Sequence, residues 1–267
     1  MFHGCRHHAT DGWNRFRPRP TDSSCHRCHG SSRCEGDPPW PTIGGGLVKL
    51  KSKTARRLRH HTNPFTFRED DLVLPDWDQL LGGPPEEADI GIGLGDFLTE
   101  YASLHPGVRL VGMEVRSAFC AEARLRLKEQ QLSNAAVIHV DATRYLTRVL
   151  PPNVLRRVFI SFPDPWFKKR HAKRRLVNDD FVKQLHQVMA TNSELFVQTD
   201  QEHLAEEIPS RLEATGYFRN RMGSGHEVAE PITEARTERE RFYLKRGWKI
   251  WRYLFDRIDA PRSHVKK

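Results

Sequence analysis

Phe162 to Arg175 reads FPDPWFKKRHAKRR. One carboxylate, Asp164, stands between Pro163 and Pro165, which fix φ on either side and stiffen the loop. Six Lys or Arg follow within eight residues: Lys168, Lys169, Arg170, Lys173, Arg174 and Arg175. A rigid acid can orient a polar or cationic group. A basic run beside it can hold phosphates, which position a nucleic acid without specifying its sequence. Upstream, Asp89-Ile90-Gly91-Ile92-Gly93-Leu94-Gly95 sets three glycines after a short apolar run. Glycine there lets the backbone turn tightly and approach a ligand where a Cβ would clash.

More acids fall at matching places. Glu114 follows the apolar run Val111-Gly112-Met113, 19 residues past Gly95. An acid at the end of a second strand accepts hydrogen bonds from ribose hydroxyls, whatever the nucleoside. Asp141 closes the run Val137 to Val140, placed to meet an adenine edge, and Asp200 closes Val197-Gln198-Thr199. Taken singly, Glu114 or Asp141 is equally a solvated strand end or a helix cap. Asp89, Glu114 and Asp141 stand at three successive strand ends, and Asp164 adds a fourth acid to the rim where ligands of open parallel sheets bind. The dinucleotide pattern G-x-G-x-x-G needs glycine at position 96, which is Asp96. The D-x-G-x-G-x-G that stands here is of the type found at S-adenosylmethionine sites, where no pyrophosphate is cradled.

These residues need a frame. Short apolar runs at Ala88–Ile92, Leu110–Val115, Ala136–Val140, Arg157–Phe162 and Leu195–Thr199 read as strands, with helical patterns between them. Phe181, Leu185, Val188 and Met189 share a helix face behind an Asn178 cap. Leu204, Ile208 and Leu212 share another, which Pro209 is expected to disturb. Trp248 to Phe255 alternates as an antiparallel strand. The alternation predicts an α/β fold, a mostly parallel sheet with helices on both faces.

The net charge of +9 lies mostly in residues 1–60, with 12 Lys/Arg against 4 Asp/Glu. The remainder is nearly neutral, so a binding patch there has to come from local clustering, and 168–175 is the clearest cluster. Residues 1–46 read as a disordered extension and 47–75 as a basic arm. A domain spans 76–260 and a basic tail 261–267. No apolar run approaches a membrane span, and no secretory h-region is visible. Four of five cysteines lie in the first 34 residues. Cys25, Cys28 and Cys34 could ligate zinc, but their spacing fits no paired-knuckle pattern, and no metal is expected in the domain. The default compartment is reducing.

FPDPWFKKRHAKRR resembles the signature of the bacterial tRNA (guanine-N7-)-methyltransferase family. Arg57 to Pro64 resembles that family's R-x-R-x-H-x-N-P segment. Asp89 to Gly95 resembles its cofactor loop, Gly112-Met113-Glu114 its second-strand acid and Thr199-Asp200 its fifth-strand ending. Thr237-Glu238-Arg239-Glu240, with Gly247 ten residues past Thr237, resembles its T-x-F-E motif, with an arginine in place of the aromatic. The resemblance spans about residues 54–257. It implies a Rossmann-like class I methyltransferase with a seven-stranded sheet, S-adenosylmethionine as cofactor and a variable-loop guanine of tRNA as substrate. It also implies a cytoplasmic location and a monomer or homodimer. By resemblance Asp89, Gly91, Gly93, Gly95, Glu114, Asp141 and Asp164 serve the cofactor. Lys168, Lys169, Arg170, Asp200, Thr237 and Glu240 serve the substrate, with Asp164 and Asp200 nearest the chemistry. A non-catalytic RNA-binding relative, a methyltransferase for another nucleic acid and a nicotinamide oxidoreductase are the alternatives.

Overall fold

The computed structural model describes residues 67–165 and 175–259. Its centre is a seven-stranded sheet: β1 Glu87–Ile90, β2 Leu110–Glu114, β3 Ala135–His139, β4 Leu155–Ser161, β5 Met189–Thr199, β6 Phe218–Asn220 and β7 Trp251–Arg257. The order across the sheet is β3-β2-β1-β4-β5-β7-β6. Neighbouring strands from β3 to β5 pair in parallel; β7 runs antiparallel to both β5 and β6. This is the expected architecture.

Seven helices alternate with the strands among the described residues: α1 Trp77–Leu81, α2 Asp96–Leu104, α3 Ser117–Glu129, α4 Ala142–Val149, α5 Asp179–Val188, α6 Glu202–Ala214 and α7 Glu238–Leu244. Strand side chains alternate between the two faces. Val158, Ile160, Leu195 and Val197 join one core with α4, α5 and α6, while Phe159 and Phe196 join the other with α2 and α3. Because both faces are covered, β1 and β2 are buried along their whole length; β2 reads as a mostly apolar run, while β1 carries two buried acids, Glu87 and Asp89.

Asn178 caps α5 as expected, accepting from the Phe181 amide at 3.0 Å. Met189 is buried but opens β5 instead of ending α5. Pro209 departs from expectation too, for α6 runs through it unbroken. Proline cannot supply the amide that the Ala205 carbonyl would accept. The Tyr253 hydroxyl supplies it instead, at 2.8 Å. Strand β6 and helices α1 and α7 are short, and their sequences carry little periodicity.

The chain leaves β1 toward β2 on one side and later returns to β4 on the other. Strand order thus reverses between β1 and β4, and the crevice outside their C-terminal ends is where such sheets bind ligands. Among the described residues, no helix is long and apolar enough to cross a membrane.

Candidate active site

β1 runs into the glycine turn, where Gly91, Gly93 and Gly95 have φ of 84°, 58° and 82°. Side chains enter this left-handed region only at a cost. The glycines differ in surroundings. A Cβ on Gly91 or Gly93 would meet nothing within 4 Å, but one on Gly95 would lie 2.7 Å from Ala123 Cβ. Gly91 and Gly93 therefore present open backbone, whereas Gly95 lets α2 close on α3.

Glu114 ends β2 and is 3% exposed. Its Oε2 accepts from the Gly93 amide at 3.1 Å, and Arg116 donates to both oxygens at 2.9 Å. The acid thus holds the glycine turn in place. Asp141 caps α4, its Oδ1 accepting from the Thr143 amide at 3.0 Å and hydroxyl at 2.5 Å. Burial raises the Asp141 carboxyl above its ordinary range, opposed by those two bonds. Asp89, the third residue of β1, is buried. Burial pushes its carboxyl up to about 8, and the neighbouring Glu114 charge adds to the rise.

β4 ends in a strained turn. Phe162 has φ of 53°, rare for an aromatic residue. Its amide donates to the Gln198 carbonyl at 2.7 Å, tying the turn to β5. Asp164 follows. Two cavities adjoin at this point. The smaller, about 120 Å³, is lined by Glu114, Asp141 and Thr143 among others. The larger, about 570 Å³, is lined by Asp89, Gly93, Thr237, Arg239, Phe242 and Tyr243 among others. Gly91, Arg116, Ser161, Phe162 and Asp164 line both.

Asp200 follows β5 with its side chain 2% exposed. Arg239 Nε at 3.1 Å and Nη2 at 2.5 Å both donate to its Oδ2. Burial alone would raise this carboxyl. Hydrogen bonds from Tyr243 and Arg239, with the guanidinium charge, outweigh burial and hold it below the usual carboxylate range. The same bond to Asp200 raises the Tyr243 hydroxyl. Asp200 lines neither cavity; Arg239 and Tyr243, which grip it, line the larger.

Thr237 caps α7, accepting from the Glu240 amide at 2.9 Å. T-x-x-E is thus a helix start as well as a motif. Glu240 is 1% exposed and lines neither cavity. Its carboxylate accepts from Gln198 at 3.2 Å and Arg252 at 3.1 Å, tying α7 to β5 and β7. Lys168, Lys169 and Arg170, the Arg57–Pro64 segment and Cys25, Cys28 and Cys34 lie outside the described residues. Arg175, the last of the basic run, pairs with Glu207 and donates to the Pro165 carbonyl at 3.2 Å.

A family model described as "Putative methyltransferase" matches residues 84–253. The tRNA (guanine-N(7)-)-methyltransferase of Trichormus variabilis is 35% identical over 76% of this chain and 97% of its own. That of Thermosynechococcus vestitus is 33% identical over 75% of this chain and 95% of its own. The enzyme of the same name from Burkholderia mallei is 35% identical over 70% of each chain. The chain belongs to the tRNA (guanine-N(7)-)-methyltransferase family. Membership brings S-adenosylmethionine as cofactor, and the residues suit it. Open left-handed glycines and buried carboxylates at three successive strand ends match a nucleoside carrying a positive charge.

Four residues that shape the site were not anticipated from the sequence: Arg116, Phe162, Gln198 and Tyr243. For Tyr243 a signal existed. It stands four residues past Arg239, on the same helix face. The family's aromatic at 239 is a cation here, and an aromatic one turn on reaches the same carboxylate.

Proposed function

We propose that this chain transfers the methyl group of S-adenosylmethionine to N7 of a guanine in the tRNA variable loop, in the cytoplasm, forming 7-methylguanosine. The observation that carries the reading is Asp164, shared by two adjoining cavities. One bears the strand-end acids Glu114 and Asp141. The other is lined by the two residues that grip Asp200.

Gly91, Gly93, Asp89, Glu114 and Asp141 would hold the cofactor, whose sulfonium supplies an electrophilic methyl. Guanine N7 carries a lone pair and no proton, so the chain needs no general base. Its task is alignment and charge. Asp164, at the junction, would orient the acceptor and face the positive charge that grows on the base. Asp200 would accept from the Watson–Crick edge of guanine, which offers N1–H and N2–H₂, and the substrate would then compete with Arg239 for that carboxylate. Thr237 and Glu240 would set α7, and with it Arg239 and Tyr243. Lys168, Lys169 and Arg170 would hold phosphates.

Incubation with S-adenosylmethionine and unmodified tRNA transcripts, followed by digestion to nucleosides, tests this. The expected product is 7-methylguanosine. Cofactor binding with no methylated nucleoside would favour the non-catalytic RNA-binding alternative. A different methylated nucleoside would overturn the assigned acceptor.

A further inference from the structure

We propose that Phe242, Trp248 and Arg246 form a stacking platform for unpaired RNA bases beside the methylated guanine, an inference that rests on the reading of RNA as the substrate. Among the described residues, Phe242 and Trp248 are the only exposed aromatic side chains, at 46% and 52%. They lie together, with ring centroids 5.8 Å apart and planes at 76°. Tyr243 meets Trp248 at 5.2 Å and 80°. The Arg246 guanidinium lies 3.5 Å over the Phe242 ring and 5.6 Å from that of Trp248.

The chain builds this surface on purpose-made geometry. Gly247, with φ of 65°, ends α7 in the left-handed region. The Trp248 amide donates to the Tyr243 carbonyl at 3.1 Å, and the Gly247 amide to that of Leu244 at 3.1 Å. That pair of bonds is a Schellman stop, which folds Trp248 back onto the helix it follows. The result is a pair of rings turned to solvent.

Exposed rings alone would name no partner. Two further observations point to RNA. First, among the described residues no carboxylate pairs with Arg246 or Lys245, while Arg241 is taken by Glu100 and Lys249 by Glu227. The platform keeps uncompensated positive charge beside flat apolar faces, the combination that single-stranded nucleic acid selects. Second, Phe242 and Tyr243 also line the 570 Å³ cavity. The platform is therefore continuous with the place where the target base would lie, and bases next to it in the strand would reach the rings.

The test uses the full chain with Phe242→Ala, Trp248→Ala, both together, and Trp248→Phe. Thermal melts control for folding in every variant, and S-adenosylhomocysteine affinity is expected unchanged in Trp248→Ala, because Trp248 lines neither cavity. Affinity for an unmodified tRNA transcript should fall about fivefold or more for each alanine and further for the pair. Its salt slope should stay the same, because the rings carry no charge. A short unstructured oligoribonucleotide should quench tryptophan fluorescence in the wild type. Trp248→Phe should keep the affinity and lose that quenching. Unchanged RNA affinity in the double variant would overturn the platform. So would a concentration-dependent dimer abolished by Trp248→Ala, because a second copy would then cover the face. Normal methylation with an unchanged KM in the double variant would remove the platform and leave the enzyme reading intact. RNA binding that depends on the rings without any methylation would do the reverse.

Discussion

Arg239 and Asp200 are joined by two hydrogen bonds to a single carboxylate oxygen, at 3.1 and 2.5 Å. The Asp200 side chain is almost wholly buried, and the Arg239 side chain is 43% exposed. A buried charge that meets the cavity only through its partners makes both partners part of its function. Asp200→Asn keeps the shape and removes the charge. Methyl transfer to tRNA should fall about 100-fold or more, in line with the loss of one electrostatic contact to a developing charge. S-adenosylhomocysteine affinity should stay within about threefold. Titration of the cofactor product beside a turnover assay checks both, and a parallel loss of cofactor affinity would move Asp200 to the other side of the site.

Arg239→Phe restores the aromatic of the T-x-F-E motif and frees Asp200 from its cation. The Asp200 carboxyl should then rise, because burial raises it and only Tyr243 among the two grips remains to oppose this. KM for tRNA should fall if the guanidinium competes with guanine, and rise if it holds the substrate. Competition between Arg239 and guanine for the Asp200 carboxylate gives a fall, measurable in steady-state assays at fixed cofactor.

Asp89 makes the site sensitive to pH. In the free protein it holds a proton up to about pH 8, because burial and the Glu114 charge both oppose ionisation. A cation in the cavity that Asp89 lines favours the ionised form. Affinity for S-adenosylmethionine should therefore climb from pH 6 to about 8, by at most about tenfold per unit, and level off above. Stability should move the opposite way. The folded state keeps a proton that the unfolded chain releases near pH 4, so stability drains as pH rises toward 8 and stays low beyond it. Asp89→Asn should flatten both curves, readable by calorimetric titration and thermal melts across pH 6 to 9.

Tyr253 holds a continuous helix across a proline. Tyr253→Phe leaves the Ala205 carbonyl without its donor at a buried site. The cost should be about 1–3 kcal/mol, with cofactor affinity unchanged. Adding Pro209→Ala should recover part of the loss, because the new amide can bond the same carbonyl. A urea melt of the single and double variants measures the coupling. Equal losses in both would mean that the carbonyl was never the issue.

The phosphate grip proposed for the basic run has its own test. Replacing Lys169 and Arg170 by alanine should weaken tRNA binding across sequences and reduce the salt slope by about one per lost phosphate contact. Filter binding from 50 to 300 mM salt reads the slope, and an unchanged slope would take the run off the RNA.

Much of this architecture was legible in the sequence for a physical reason. Strands buried on both faces give mostly apolar runs, and a parallel sheet puts strand-end acids on one rim, so Asp89, Glu114, Asp141 and Asp164 could be placed there from spacing, whereas Asp200 follows β5 but lines neither cavity. Long-range partners leave no local trace. Nothing near Pro209 announces Tyr253, 44 residues on. Nothing near Asp200 announces that Arg239 would close on it. Glu240 shows the limit of a motif. Its spacing to Thr237 is visible, but only the fold reveals that its carboxylate is spent on Gln198 and Arg252.

On the reading proposed above, this rim delivers a methyl group to guanine N7. The most direct measurement compares labelled methyl transfer into an ordinary tRNA transcript with transfer into one carrying 7-deazaguanine throughout, after both are shown to bind. One methyl at a variable-loop guanine is expected in the first and none in the second. Transfer into the 7-deaza transcript would contradict that reading, because the acceptor atom would then not be N7.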